Sequence, residues 1–292
     1  MRWRGNVPES GRANPCYISL LISVVVADQA KKTEKKQAQK PARKRPAKAE
    51  KKEEERRFER ALVIGAHPDD PEFGFGGTVA KLSDDGVEVY YCICTDGSQG
   101  GEDPSVPDEE LTTVRYREQR AAAEVLGVRD VVFLGFRDGY LAPDIPLRKA
   151  LTREIRRLRP DLVMTHAPLM SGSAGIGASH PDHLAVGQAA LAAVYPDSRN
   201  PRCYPELLTQ GFQPHRVKEV WLPGFDAADH FVDTTKTVER KIEAIKCHSS
   251  QFEGKPPMGN GGPGERIREW GKQVGKRAGY EYAEAFKKLQ TG

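Results

Sequence analysis

The sequence has few of the features that mark secreted, disulfide-rich or membrane-spanning proteins. Its 292 residues include five cysteines, at positions 16, 92, 94, 203 and 247, and no two of them form a CxxC pair. A disulfide framework and a cysteine-based zinc site are therefore not indicated. The apolar run CYISLLISVVVA at residues 16–27 is much shorter than the ~20 residues of a membrane-spanning helix. We expect no transmembrane segment.

The start of the chain leaves alternatives open. Three arginines precede the apolar run and VVA ends it, as in a secretory signal peptide. The lead also contains Glu9 together with glycine and proline, which is atypical of such a peptide. A start at one of the valines at positions 24–26 would remove the run altogether. We expect a cytoplasmic protein, with secretion through residues 1–27 left open.

A second absence separates the chain into two parts. Residues 29–57 contain no Val, Ile, Leu, Met, Phe, Trp, Tyr or Cys, so this stretch cannot bury enough apolar surface to fold. Residues 1–60 carry 17 Lys/Arg against 8 Asp/Glu, whereas the remainder carries 28 against 33. We predict a disordered basic extension over residues 1–59. It is either a solvated tail or a segment that binds nucleic acid or an anionic membrane, while the mildly acidic remainder requires no nucleic acid.

From residue 60 onward, short apolar segments alternate with helical patterns. The pattern predicts strands over residues 61–66, 87–95, 130–135, 161–167 and 217–223, and helices over 77–86, 111–127, 146–160, 182–195, 237–252 and 265–289. Buried strands that alternate with helices indicate an α/β fold, a Rossmann-like three-layer α/β/α arrangement with a mostly parallel sheet. We expect residues 60–292 to form a single catalytic domain, with its ligand site at the carboxyl ends of the strands.

Two of the loops at that edge carry similar polar motifs. AHPDDPEFGFGG follows the first predicted strand and contains His67, Asp69 and Asp70, and SHPDH follows the fourth and contains His180 and His183. In isolation, an aspartate in either loop is equally well explained as a helix cap. Together, two histidines and a carboxylate at one sheet edge indicate a metal site. Such a ligand set is typical of catalytic zinc, which keeps one position open for water.

Other sites common in this type of fold are missing. The turn after the first strand reads GAHPDD and not GxGxxG, and its carboxylates would repel a pyrophosphate. The HExxH motif of zinc proteases and the GxSxG motif of serine hydrolases are also absent.

The combination of AHPDDPEFGFGG with a downstream HPDH resembles the LmbE-like/PIG-L family of zinc-dependent N-acetylglucosamine deacetylases. The resemblance extends over about residues 60–290 and includes RYREQRAAAEVLG, FLGFRDGYL and HSSQF. It implies one zinc ion per chain, held by His67, Asp70 and His183. It implies that Asp69 is the general base and that His180 steadies the tetrahedral intermediate or protonates the leaving amine.

The resemblance also implies roles for three further residues. Asp182 would tune the pKa of His180, and Arg115 and Asp138 would hold sugar hydroxyls. For Arg115 and Asp138, surface ion pairs are the alternative.

The expected function is removal of an N-acetyl group from a glucosamine-containing small molecule by a zinc-dependent hydrolase. One alternative is an amidase of the same family that acts on a larger acyl group or a thiol conjugate. Another is a non-catalytic metal-binding protein with a nucleic-acid-binding tail. A homo-oligomeric state is left open.

Overall fold

A computed structural model describes residues 58–101, 103–169, 179–224, 227–252 and 262–292. These residues belong to one unit, Pro46–Gly292. The predicted disordered extension lies outside the described residues, apart from Phe58 and Glu59. Within the described ranges, no helix combines the length and the apolar character needed to cross a membrane.

The strands of the described residues form one twisted sheet, in which most neighbouring strands are parallel. They are β1 (Arg60–Gly65), β2 (Glu88–Thr95), β3 (Asp130–Phe136), β4 (Leu162–Thr165), β5 (Glu219–Pro223), β6 (His230–Asp233) and β7 (Ala283–Gln290). Their order in the sheet is β3-β2-β1-β4-β5-β7-β6. The first five are parallel to one another, while β7 is antiparallel to both β5 and β6.

Helices cover both faces of the sheet. They are α1 (Asp70–Asp84), α2 (Asp108–Leu126), α3 (Ile145–Leu158), α4 (Pro181–Ala192), α5 (Pro205–Thr209), α6 (Val238–Lys246) and α7 (Gly262–Ala278). Because side chains alternate along a strand, Ala61 and Val63 of β1 pack in a core with α1, α2 and α6. Leu62 and Ile64 pack in a second core with α3 and α4 on the opposite face. The predicted three-layer α/β/α fold is confirmed.

The C-terminal segment differs from the prediction. The helix expected over 265–289 ends at Ala278, where Gly279 takes a φ of 75°. A positive φ favours glycine and commonly ends a helix. Residues 283–290 then form β7 between β5 and β6. The predicted helix is therefore wrong beyond Ala278, because the sheet pairing of AEAFKKLQ overrides its local helix propensity.

Candidate active site and metal centre

The register of β1 with β4 brings the two polar motifs to one edge of the sheet. Ile64 pairs with Thr165 in parallel, so the loops that follow both strands leave the sheet side by side. Helix α4 packs closely over the end of β4, since a Cβ on Gly187 would lie 2.7 Å from the carbonyl oxygen of His166. His183 lies one helical turn before Gly187 and is thereby held above the end of β1.

The three predicted metal ligands are brought together. Nδ1 of His67 lies 3.2 Å from Nε2 of His183. The Asp70 carboxylate lies 3.0 Å from His183 Nε2 through Oδ1 and 3.4 Å from His67 Nδ1 through Oδ2. Tetrahedral zinc with bonds of about 2.0–2.1 Å places neighbouring ligand atoms about 3.3 Å apart. The spacing of these three groups therefore fits a zinc ion.

The other ring nitrogen of His67 is held by two buried carboxylates. Nε2 lies 3.0 Å from Oδ1 of Asp138 and 3.3 Å from Oδ2 of Asp182. The backbone N–H groups of Gly139 and Leu141 donate to the Asp182 carboxylate at 2.8 and 3.1 Å. A carboxylate on the distal nitrogen of a metal-binding histidine fixes its tautomer and ring orientation. Asp138 and Asp182 are therefore placed to orient His67, a role that the sequence interpretation did not assign to them.

The electrostatics of this cluster favour a cation. Burial opposes a charge on His67, but hydrogen bonds with Asp138, Asp182 and Asp70 outweigh it and raise the pKa of His67 to about 12. Burial tends to raise the pKa of Asp70, but the nearby His183 and His166 outweigh it. The pKa of this carboxyl therefore lies well below its usual range. Several carboxylates thus share the space around one imidazole, and a divalent ion would neutralise them.

One histidine of the cluster, His166, was not predicted. It follows β4 directly, lies 3.2 Å from Oδ2 of Asp70 through Nε2, and accepts a 3.0 Å hydrogen bond there from the Ala66 N–H. Its ring stacks on that of His183 with a centroid distance of 4.2 Å. The position of His166 at the carboxyl end of a predicted strand was the available signal. Among the described residues, three overlapping groups could hold a metal ion: His67/His180/His183, Asp70/His166/His183 and His67/Asp138/Asp182.

Asp69 has an unusual backbone conformation at the edge of this cluster. It occupies the N-cap position of α1 with a φ of 108°, in the left-handed region. For a residue other than glycine this conformation costs on the order of 1–3 kcal/mol, and such strain is concentrated at functional sites. Within the described residues its side chain makes no capping hydrogen bond, and its Oδ2 lies 3.3 Å from Nη2 of Arg115. Burial raises the pKa of Asp69 to about 6, and Arg115 opposes this rise.

The other aspartates considered as helix caps have different partners. Oδ2 of Asp70 accepts from the backbone N–H of His67 at 2.7 Å. At α4 the N-cap residue is His180, whose Nδ1 accepts from the N–H of Asp182 at 3.2 Å. This bond leaves the proton of the neutral imidazole on Nε2. Burial, together with the charges of its histidine neighbours, lowers the pKa of His180 and keeps the ring neutral.

Arg115 and Asp138 are both buried, with exposed fractions of 3% and 4%, which is inconsistent with a surface ion pair. Arg115 donates to the carbonyl oxygen of Pro68 at 2.5 Å and to that of Gly97 at 2.9 Å. Its Nη1 lies 3.8 Å from Oδ2 of Asp138. Arg115 thus links the loop after β1, the loop after β2 and the carboxylate that orients His67.

Comparison with known proteins identifies the family. The profile described as PIG-L: GlcNAc-PI de-N-acetylase matches residues 62–194. Diacetylchitobiose deacetylase of Thermococcus kodakarensis is 32% identical over 236 residues, and the match covers 78% of this chain and 82% of the relative. The chain belongs to the PIG-L family.

Two further comparisons support this placement. The 1D-myo-inositol 2-acetamido-2-deoxy-alpha-D-glucopyranoside deacetylase of Rhodococcus jostii is 34% identical over 243 residues, covering 66% of this chain and 81% of the relative. The solved structure of N,N'-diacetylchitobiose deacetylase from Pyrococcus horikoshii matches with a TM-score of 0.72 and 33% identity, over 80% of this chain and 84% of that one. The predicted family and the predicted enzyme class, amide hydrolases that act as deacetylases, are confirmed.

Proposed function

We propose that this protein is a zinc-dependent deacetylase that removes the N-acetyl group from a glucosamine-containing small molecule. The observation that carries the proposal is the triangle of His67, Asp70 and His183, with spacings of 3.0–3.4 Å, beside a strained aspartate that is not one of its corners. A structural metal site does not require a neighbouring carboxylate residue in a strained backbone conformation such as that of Asp69. The relatives compared above are named as deacetylases of diacetylchitobiose and of a 2-acetamido-2-deoxy-glucopyranoside, and this supports a glucosamine-containing substrate.

The donor set of His67, Asp70 and His183 suits zinc in an open site. Zinc bound there supplies an acidified water molecule and polarises the carbonyl of the scissile amide. The orientation of His67 depends on Asp138 and Asp182, and that of Asp70 on the N–H of His67. The protein contributes fixed ligand positions, so little reorganisation accompanies the reaction.

Asp69 is assigned the role of general base. It takes a proton from the water as the water oxygen forms a bond to the amide carbonyl carbon. When the C–N bond then breaks, the same proton passes from Asp69 to the leaving nitrogen, so the products are a free amine and acetic acid, which loses its own proton to give acetate. A pKa of about 6 suits both steps near neutral pH, because the group is ionised beforehand and is acidic enough to return the proton.

His180 is assigned to the developing oxyanion. Since its Nδ1 accepts the Asp182 N–H, its Nε2–H is the group available to donate a hydrogen bond to the carbonyl oxygen. Protonation of the leaving amine by His180, the other role considered, would require an imidazolium and the loss of the bond to Asp182. We therefore favour oxyanion stabilisation for His180 and assign the proton transfer to Asp69.

The test is release of free amine from a panel of N-acetylglucosaminides, including N,N'-diacetylchitobiose and GlcNAc linked to malate or inositol. Release should stop after treatment with a chelator and return when zinc is added. Matching substrates with larger acyl groups test the amidase alternative in the same assay. No amine release from any acetylated member with zinc-loaded protein, or chelator-resistant release, would contradict the proposal.

A further inference from the structure

The late motif HSSQF, from which the mechanism uses no residue, reaches the candidate site through a buried hydrogen-bond network. Nε2 of His248 lies 3.2 Å from Oε2 of Glu72, and neither side chain is exposed. The side-chain amide of Gln119, also fully buried, donates to both oxygens of Glu72 at 3.0 and 3.1 Å. The motif, helix α1 and helix α2 are thereby joined by three consecutive polar groups.

The network ends on the main chain of Asp69. Oε1 of Gln119 accepts the Asp69 N–H at 2.8 Å. Because the amide nitrogen of Gln119 faces the Glu72 carboxylate, its oxygen must face Asp69. His248 completes this ordering by pairing with the second oxygen of Glu72. The orientation of the Gln119 amide is therefore determined by Glu72 and His248.

We propose that Glu72, Gln119 and His248 are positioning residues that hold Asp69 in its left-handed conformation and so direct its carboxylate at the reacting water. This inference rests on the proposed function, because it assigns a consequence to the role of Asp69 as general base. None of the three residues touches the reacting atoms.

The peptide before Asp69 is held from both sides by one face of α2. Arg115 donates to the carbonyl oxygen of Pro68, and Gln119, one helical turn later, accepts the N–H of Asp69. A core residue selected only for packing would not need to supply an acceptor at a residue with φ of 108°. Among the described residues of the candidate site, the network thus ends at the strained non-glycine residue, Asp69.

The motif itself is fixed to the same helix. Glu118 accepts from Ser249 Oγ at 3.0 Å, from the Ser250 N–H at 2.8 Å and from Ser250 Oγ at 2.7 Å. Residues 118 and 119 of α2 therefore divide two tasks. Glu118 holds the segment that carries His248 in place, and Gln119 accepts the hydrogen bond from the Asp69 N–H.

The first experiment measures kcat and KM for Gln119→Leu, which keeps the size of the side chain and removes its hydrogen bonds with Glu72 and with Asp69. We expect kcat to fall on the order of 10²-fold, as small misplacements of catalytic groups do, with KM and bound zinc little changed. The matched control is Glu284→Gln. Like Glu72, Glu284 is a buried carboxylate. It accepts from backbone N–H groups of α1, at Gly77 and Thr78, and pairs with Lys241, but it does not contact Asp69. The control should lose stability and keep kcat.

The second experiment exchanges the two interacting groups. Gln119→Glu alone places two carboxylates together and should lower kcat. The double variant Glu72→Gln/Gln119→Glu again pairs an amide with a carboxylate and again presents an acceptor to Asp69, so it should recover most of the lost kcat. If the double variant is no better than the single one, or if Glu284→Gln lowers kcat as much as Gln119→Leu, the positioning role is refuted.

A readout without turnover separates this inference from the proposed function. In the otherwise unchanged protein, Asp69→Gly should have a higher Tm than Asp69→Ala by about 2–4 °C, because glycine tolerates the positive φ. In the Gln119→Leu background this difference should shrink, since the backbone is no longer held there. An unchanged difference overturns the positioning role, even if the deacetylase assay succeeds. A reduced difference with no deacetylation of any substrate overturns only the proposed function.

Discussion

Two neighbouring carboxylates at the start of α1 differ in backbone conformation, and this separates their surroundings. Asp69 has a φ of 108° and lies against Arg115, whereas Asp70 is the first residue of the helix and faces His67 and His183. Adjacent side chains in a regular helix would diverge by only about 100° around one axis. The left-handed residue sends the two carboxylates to different partners, so one can bind metal while the other stays free to accept a proton.

This separation predicts the behaviour of Asp69→Asn. The variant keeps the hydrogen-bonding shape of the residue but cannot accept the proton, so kcat should fall by about 10²–10⁴-fold. Zinc affinity should remain close to that of the unmodified protein, because the ligand triangle is intact. Steady-state kinetics with zinc quantified on the same sample make the check, and a parallel loss of zinc and activity would show that the two aspartates do not divide these tasks.

A second residue-level prediction concerns Asp182, which holds the distal nitrogen of His67. Asp182→Asn weakens that contact and should lower zinc affinity by about 10–100-fold. With zinc in excess, much of kcat should return, since Asp182 is not assigned to the proton transfer. Titration of apoprotein with zinc, compared with kcat at saturating zinc, tests this. Unchanged affinity together with a lower kcat would instead favour the role first expected for Asp182, tuning of His180.

At the scale of elements, the position of α4 over β4 determines where His183 lies. Gly187→Ala adds a Cβ within 2.7–2.9 Å of backbone atoms of His166 and Ala167, so the helix must shift. We expect a loss of about 1–3 kcal/mol in the free energy of unfolding, with reduced zinc affinity. The matched control is Gly74→Ala in α1, where a Cβ meets nothing within 4 Å and the change should be neutral or stabilising. Equal effects of the two substitutions on zinc affinity would contradict this account.

The elements also explain what sequence patterns could and could not predict. The five parallel strands follow from local apolar runs, and the parallel arrangement places both motifs at one edge, so a metal site there could be predicted. The family resemblance then implied His67, Asp70 and His183 as its ligands. The last strand could not, because AEAFKKLQ favours a helix locally and becomes a strand only by pairing with β5 and β6. The contacts of Asp138 with His67, and of Gln119 with Asp69, join residues 71 and 50 positions apart. Such contacts depend on loop conformation and helix rotation, which periodicity does not specify.

At the scale of the whole molecule, charge and candidate chemistry lie in different parts of the chain. Residues 1–45 carry 11 Lys/Arg and 3 Asp/Glu. The full chain has a net charge of +4, and the chain without these residues has a net charge of −4. Every residue assigned a role at the candidate site lies between His67 and His248, within the unit Pro46–Gly292. A cytoplasmic location stays a prediction, and the oligomeric state stays open.

Deletion of residues 1–45 should therefore leave kcat/KM and Tm of the deacetylase unchanged. Binding to an anionic polymer such as DNA or heparin at low salt should weaken strongly, because that attraction depends on Lys and Arg and is screened by salt. Parallel measurement of amine release and of DNA binding over a salt series tests both statements on one pair of proteins. DNA binding that survives the deletion would place the anionic-polymer site on the acidic catalytic part. A tenfold or greater loss of kcat/KM would show that the extension contributes to the site, and the division of the chain into a basic extension and a self-sufficient enzyme would then be wrong.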